Sequence, residues 1–290
     1  MAGGLIWVVA TPIGNLEDLS RRAERVLGEA DLIAAEDTRR TRTLLTHLGL
    51  SKRMISYHDA IEASRADELV ERARAGERIA LVSDAGTPLI ADPGFRLIVA
   101  ARRAGVPVVP IPGASAPITL LSCAGLPTAR FSFLGFLPAR RSARRRMLEE
   151  VRSREDTLVF FETARRLPDA LVDLTEILGG QRRAVVGREL TKIFEEVLDG
   201  TLEELSLLYR EGGDARRRGE FVLAIEGAAG DARPIEAPDP DEAIRRALEA
   251  GASPSRVARE VAEALGLSRN EVYRRALELG RGRPPEDREA

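Results

Sequence analysis

Short, almost wholly apolar runs at residues 5–10, 32–35, 79–83 and 106–110 alternate with stretches of helical periodicity at residues 19–28, 38–48, 64–76 and 95–105. A strand that is apolar at nearly every position has no solvent face. It belongs in a mainly parallel sheet with helices packed over both sides. Residues 1–125 are therefore expected to form an α/β domain. Beyond Gly125-Leu126-Pro127 the spacing changes, with strands predicted at 131–134, 157–161, 183–188, 195–198 and 219–225, and helices at 142–151, 166–178 and 202–210. The two runs flanking Lys192 lie close enough to form a hairpin, so residues 126–228 read as a second α/β domain with a mixed sheet.

Residues 229–240 are rich in Ala, Gly, Pro and Asp and read as a linker. Three helical patterns follow, at 241–250, 254–265 and 269–279, with Pro254 suited to a first helical position and Ser268 to a cap. Residues 241–281 are expected to form a small helical module, and residues 282–290 a charged tail. The longest uncharged stretch, 104–129, has the length of a membrane span, but Pro107, Pro110, Pro112, Gly113, Pro117, Gly125 and Pro127 interrupt it. A strand, a loop and a helix account for it better.

The remaining composition excludes several chemistries. A single cysteine, Cys123, rules out an internal disulfide framework, and with only His47 and His58 beside it a structural zinc site lacks ligands. No metal and no membrane anchor are expected. Residues 1–11 carry no basic segment or cleavage pattern, so the cytoplasm is the expected compartment. The formal net charge is -2, so contact with a polyanion must come from local basic patches. Only two of the 44 basic side chains are lysines, Lys52 and Lys192.

Four loops follow apolar runs: Thr11-Pro12-Ile13-Gly14-Asn15, Glu36-Asp37-Thr38-Arg39, Ser83-Asp84-Ala85-Gly86-Thr87-Pro88 and Pro112-Gly113-Ala114-Ser115-Ala116. In an open parallel sheet the loops at the carboxyl ends of the strands converge on one crevice, which makes them the first site candidate. Neither Gly-x-Gly-x-x-Gly nor Gly-x-x-x-x-Gly-Lys-Ser/Thr occurs, so the usual sequence reasons for a nicotinamide or nucleoside triphosphate site are missing. Each loop taken alone also fits ordinary turn chemistry, and Asp37, Thr38 or Ser115 fits a helix cap. The second candidate is basic. Arg140, Arg141, Arg144, Arg145 and Arg146 place five guanidiniums within seven residues, the density that phosphate binding requires, although a solvated helix face has the same composition. Arg216, Arg217 and Arg218 form a weaker patch.

In order along the chain, Val9-Ala10-Thr11-Pro12-Ile13-Gly14-Asn15-Leu16, Ala35-Glu36-Asp37-Thr38-Arg39, Ser83-Asp84-Ala85-Gly86-Thr87-Pro88, Pro112-Gly113-Ala114-Ser115-Ala116, Gly135-Phe136-Leu137-Pro138, Arg188-Glu189-Leu190-Thr191-Lys192, Phe194-Glu195-Glu196 and Gly219-Glu220-Phe221-Val222-Leu223 resemble one family. It is the bacterial ribosomal RNA small subunit methyltransferase I family, within the tetrapyrrole methylase superfamily. The resemblance runs from about Leu5 to Leu279 and rests on the ordered set rather than on any one motif. One loop departs from it: Thr163-Ala164-Arg165-Arg166 stands where the family usually has Ser/Ala-Pro-His/Lys-Arg after Phe160-Phe161-Glu162.

The resemblance implies transfer of a methyl group from S-adenosylmethionine to the ribose 2′-hydroxyl of a cytidine in the decoding region of 16S rRNA, presented as RNA or as the small ribosomal subunit. It also implies a homodimer with the cofactor between two α/β domains. By position, Pro12, Asp84, Gly86, Thr87, Ser115 and Ala116 match one side of that cofactor site, and Leu134, Phe161, Leu223 and Ala224 match its other wall. The sulfonium donor is already activated, so the protein must align the nucleophile, exclude water and help remove one proton. Glu36, Asp37 and Glu189 are candidate acceptors. Lys192 is a further one if burial lowers its pKa; otherwise it holds a phosphate, orients the ribose or joins an interdomain ion pair with Glu189. Arg39 and the five arginines at 140–146 are candidate RNA contacts. Two alternatives remain: methylation of a tetrapyrrole ring, which the superfamily fold also supports, and a non-enzymatic nucleic-acid regulator, because Ala262-x-x-x-Gly266 followed by residues 268–275 imitates a helix-turn-helix. Residues 241–290 carry as many acidic as basic side chains, which is poor for a nucleic-acid headpiece acting alone.

Overall fold

The computed structural model describes residues 3–211, 218–228, 240–249, 252–265 and 268–280. The expected linker up to residue 239, the expected tail, and Arg216 and Arg217 lie outside the described residues. The chain divides into two compact units after Ala228, and the first contains two sheets.

The first sheet comprises β1 (Leu5–Val9), β2 (Leu32–Ala35), β3 (Met54–Ser56), β4 (Arg78–Val82) and β5 (Val108–Ile111), in the order β3-β2-β4-β1-β5. All its pairings are parallel. Successive residues of a strand point to opposite faces. Ile6, Leu32, Ile79 and Leu81 pack against α3 (Asp59–Arg74) and α4 (Phe95–Arg103), whereas Trp7, Ile33, Ala80 and Val82 pack against α1 (Arg21–Glu29) and α2 (Thr38–His47). The runs of β1, β2 and β4 thus have the burial on both faces that their pattern implied, whereas β5, at the sheet edge, is only partly buried and its Pro110 is exposed. Helix α3 starts at Asp59, earlier than its periodicity suggests, because His58 takes the extended cap conformation and Asp59 and Glu62 put negative charge in the first turn.

The uncharged stretch at 104–129 becomes β5, a loop and α5 (Ala116–Cys123). Leu120 and Leu121 of α5 pack on Val159, Val185, Val222 and Ala224 of the second sheet, so this helix covers the sheet that follows it in sequence. That sheet comprises β6 (Phe131–Phe136), β7 (Thr157–Thr163), β8 (Arg183–Arg188), β9 (Glu196–Thr201) and β10 (Glu220–Ile225), ordered β6-β7-β10-β8-β9. It is mixed: β6 and β7 are parallel and the other pairs antiparallel, including the expected β8–β9 hairpin. Its other face is buried by α6 (Arg141–Val151), α7 (Leu167–Leu178) and α8 (Leu202–Glu211).

In the second unit α9 (Pro240–Glu249), α10 (Pro254–Leu265) and α11 (Arg269–Gly280) enclose Ile244, Val257, Val261, Val272 and Ala276. Pro254 is the first residue of α10, as its fixed φ and missing N–H favour. Among the described residues no helix is long and apolar enough to cross a membrane.

Candidate active site

The strand order places the site. From β1 the chain crosses by α1 on one face, and from β4 it crosses by α4 on the other, so the loops after these neighbouring strands part and leave a crevice at their carboxyl ends. A two-way backbone bridge ties them: Thr11 N–H donates to Gly86 O at 2.8 Å and Gly86 N–H to Thr11 O at 3.1 Å. Gly86 has φ +79°, a conformation that side chains resist, and a Cβ there would come within 3.3 Å of Ile13. Thr87 Oγ1 donates to Ala114 O at 3.1 Å and so joins the loop after β5 to the same group.

These loops form one wall of a cavity of about 280 Å³ whose other wall is the second sheet. Ile13, Ile90, Pro117, Phe136, Phe161 and Leu190 make it largely apolar, and Gly86, Thr87, Ser115, Asp92, Glu162, Lys192 and Glu220 supply its polar groups. Phe136 and Phe133 both pack on Phe161, with ring centroids 5.3 and 4.9 Å away. A second cavity of about 250 Å³ adjoins it, lined by Pro12, Gly14, Leu16, Arg40, Thr43 and Asp84 among others. Ile13, Ala85, Lys192 and Glu220 border both. Gly14 makes room for the Lys192 stem, since a Cβ there would lie 2.3 Å from Lys192 Cγ.

Lys192 is the centre of an ion-pair group. Its Nζ donates to Glu189 Oε1 and to Glu220 Oε2, each at 2.9 Å, and Glu189 Oε1 also accepts the Glu220 N–H at 2.9 Å. Burial alone would lower the lysine pKa, but the two carboxylates outweigh it and hold it above its ordinary value. The condition for Lys192 as a base, a pKa lowered by burial, is not met, and the direction favours an ammonium in the ion pair with Glu189. Burial would likewise raise Glu189, yet Lys192 and the Glu220 amide bring it below the ordinary range. Asp37 is the N-cap of α2, accepting the Arg39 N–H at 2.8 Å, and its hydrogen bonds to the Arg39 side chain and backbone hold it well below the usual carboxylate range. Glu36 is the exception. Burial, and the neighbouring Asp84 and Asp59 carboxylates, raise its pKa against the Asp84 N–H that it accepts at 3.1 Å.

The other expected residues separate. Gly86, Thr87, Ser115, Ala116 and Phe161 line the apolar cavity, while Pro12 and Asp84 line the neighbouring one, where Asp84 accepts the Asp37 N–H at 2.9 Å and pairs with Arg40 at 3.4 Å. Ser115 occupies the N-cap position of α5 without a side-chain cap bond. Leu134 packs against the core beneath the second sheet, and Leu223 and Ala224 are fully buried. Their neighbours Phe221 and Val222 line the cavity instead. In the divergent loop, Arg166 Nε donates to Glu162 Oε1 at 2.6 Å and Arg166 Nη2 to Leu137 O at 2.8 Å, so its last residue braces the wall.

Three of the five arginines expected as RNA contacts pair with one enclosed carboxylate, although Arg141 keeps most of its side chain exposed. Arg144 is 4% exposed and donates twice to Asp173 Oδ2, at 2.8 and 2.6 Å. Arg141 Nε and Arg145 Nη1 reach Asp173 Oδ1 at 2.9 and 3.0 Å, and both also pair with Glu176. Burial pushes the fully enclosed Asp173 upward, but these guanidiniums bring it below its ordinary value. Arg140 and Arg146 remain at the surface. The exposed face of α2 is different: Arg39, Arg40 and Arg42 project from a helix with no acidic residue, beside a groove bordered by Thr38, Thr43 and Thr46.

The model of the Tetrapyrrole (Corrin/Porphyrin) Methylases matches residues 5–206, and that of the RsmI C-terminal HTH domain matches residues 235–280. A Xylella fastidiosa protein named ribosomal RNA small subunit methyltransferase I is 47% identical over 271 residues, covering 93% of this chain and 98% of its own. The Escherichia coli O157:H7 protein of that name is 44% identical over 277 residues, covering 95% of each chain. The chain belongs to the ribosomal RNA small subunit methyltransferase I family. A solved uroporphyrin-III C-methyl transferase of Thermus thermophilus, complexed with S-adenyl homocysteine, has a TM-score of 0.53 at 20% identity, covering 78% of this chain and 98% of its own. At that identity the likeness is one of fold, and it agrees with the tetrapyrrole methylase match over residues 5–206. The C-terminal match agrees with the helix-turn-helix spacing, since α10 and α11 are separated by three residues.

Proposed function

We propose that this chain methylates the ribose 2′-hydroxyl of a cytidine in small-subunit ribosomal RNA, with S-adenosylmethionine held in the apolar cavity between its two sheets. The single observation behind the reaction class is family membership over nearly the whole chain, and it favours this reading over ring methylation or a non-enzymatic role. The expectations of a homodimer and a cytoplasmic enzyme accompany the family reading.

The cavity suits such a cofactor. Its apolar sides match a purine and an alkyl chain, the Gly86 and Ser115 loops offer backbone groups at close range, and Glu162 Oε2 is buried in the wall without a hydrogen-bond partner, leaving an acceptor for a ligand N–H or O–H. When bound, S-adenosylmethionine supplies a methyl group already activated by positive sulfur. Ile13, Ile90, Phe136 and Phe161 exclude water around it. Lys192 stands where the two cavities meet and, as an ammonium fixed by Glu189 and Glu220, orients an anionic or hydroxyl oxygen. The exposed arginines of α2 border the second cavity and its adjoining groove, which supports a course of the RNA backbone along that helix. Asp37 and Glu189, held ionised below the usual range, are weak bases, so both act in positioning; Glu36 retains the basicity of an ordinary or stronger carboxylate. Alignment of this kind supplies as much rate as general base catalysis, whose usual contribution is about 10² to 10⁴-fold.

The reading is tested by incubating the protein with methyl-labelled S-adenosylmethionine and small ribosomal particles of increasing maturity, then mapping the label. Label confined to one cytidine, in an alkali-resistant linkage that marks the 2′ position, supports it. Binding of the cofactor with no label in any RNA would overturn it.

A further inference from the structure

Three carboxylates line the apolar cavity, and two are matched by cations: Glu162 by Arg166 at 2.6 Å and Glu220 by Lys192 at 2.9 Å. The third, Asp92, has no ion-pair partner among the described residues. It lies on the same wall as Gly86 and Thr87, at the end of a loop in which Leu89 and Ala91 both adopt positive φ, 73° and 67°. Non-glycine residues reach that region at a cost of about 1–2 kcal/mol each, and persist there when their surroundings fix them. The loop is fixed at its exit by Glu62, whose buried Oε1 accepts the N–H groups of Gly94 and Arg96 at 3.0 and 2.8 Å and the Tyr57 hydroxyl at 3.3 Å. A strained, anchored loop thus carries an unmatched acid into a mostly apolar space.

We propose that Asp92 is the counter-charge for the positive sulfur of the methyl donor, held partly protonated near neutral pH in the empty cavity and driven to the ionised form when the cation occupies it. This rests on the cofactor assignment above. The groups facing Asp92 explain why it needs a cation. Its pKa is raised to about 7, first by burial and then by Glu36 from the end of β2, Asp84 from the loop after β4 and Asp59 from the start of α3, against the Ser83 hydroxyl, which lowers it. An added positive charge favours the ionised form of a carboxyl so placed.

The consequence for the reaction is a proton balance. As the hydroxyl oxygen forms its bond to the methyl carbon, the carbon–sulfur bond breaks and sulfur keeps the electron pair, so the cation becomes a neutral thioether and the hydroxyl proton must leave. At that moment Asp92 loses its counter-charge and becomes basic enough to hold the proton on Oδ before it passes to solvent. No residue expected from the sequence combines cavity exposure with this environment.

The test compares S-adenosylmethionine with S-adenosylhomocysteine, which differ in charge at sulfur, by calorimetry in buffers of different ionisation enthalpy near pH 7. In the parent, the methyl donor is expected to release a substantial fraction of one proton on binding and the product markedly less. Asp92→Asn is expected to abolish that difference and to weaken donor binding about tenfold at pH 8, with product affinity within about threefold. Folding supplies a second readout. Because the folded pKa lies above the unfolded one, ionisation of Asp92 costs stability as pH rises through that interval. The variant should therefore melt higher than the parent at pH 8, with the gap closing towards pH 4. Equal proton release for both ligands in the parent, a measurement that needs no variant, overturns the proposal while leaving the cofactor site intact. Failure of the parent to bind either ligand would overturn the cofactor assignment and the proposal with it.

Discussion

Helices α2 and α6 are both dense in arginine, and they use it in opposite ways. In α6 three of the guanidiniums reach one enclosed carboxylate, Asp173, with Arg144 buried, Arg145 half-buried and Arg141 still largely exposed, and a fourth, Arg146, reaches only Glu150 at 4.0 Å on the surface. In α2, Arg39 and Arg40 have a single carboxylate partner each, Asp37 and Asp84, and both side chains remain largely exposed beside the second cavity. Equal local charge therefore says little about partners. What separates the two helices is an acid some thirty residues away in sequence: α7 presents Asp173 and Glu176 to α6, whereas among the described residues no comparable pair of acids faces the outer side of α2.

The largest expected effect breaks the inward network. Asp173→Ala leaves Arg144 buried without its carboxylate, a change that costs about 3–5 kcal/mol in comparable buried pairs. Chemical denaturation should register that loss, and a value below about 1 kcal/mol would mean that the α6 arginines are solvated after all. The sign with pH is fixed by the depressed pKa of Asp173. Its contribution is fully present above the ordinary carboxylate range and disappears as pH falls through the lower folded value, so the gap between parent and Asp173→Asn should narrow only in acid.

The next effect sharpens the outward side. Replacing Arg39, Arg40 and Arg42 together by Gln should reduce the slope of log affinity against log salt, for small-subunit RNA, by about two to three. Replacing Arg141 and Arg145 by Gln should leave that slope almost unchanged while lowering the melting temperature. Reversal of these two results would exchange the roles assigned to the helices. The smallest effect is expected at Arg146, whose side chain is 80% exposed. Arg146→Gln should alter stability by no more than about 0.5 kcal/mol and the salt slope by at most about one.

The same contrast explains what was legible in the sequence. The apolar runs identified the parallel sheet because burial on both faces leaves a local signature, and Gly86, Thr87 and Ser115 could be singled out because loops at the ends of such strands must converge. The α6 arginines misled because their partner is distant in sequence. Leu223 was expected at the cavity, but it is fully buried in the core beneath α7 and α8, and the preceding residues of β10, Phe221 and Val222, border the cavity instead. Ala224 shares the Val222 face but lies deeper, in the cluster covered by α5. Asp92 escaped notice because Asp-Pro-Gly reads as a turn, and its burial and acidic neighbours arise only when β2, β4 and α3 are assembled.

The account depends on where the methyl donor lies, and a crystal structure of the protein with S-adenosylhomocysteine tests this directly. The ligand is expected between the Gly86-Thr87 and Ser115-Ala116 loops on one side and Phe161 and Val222 on the other, with its sulfur facing Asp92 and Lys192 at the border with the second cavity. A ligand seated instead among Pro12, Arg40 and Asp84, with the apolar cavity filled by solvent, would contradict it.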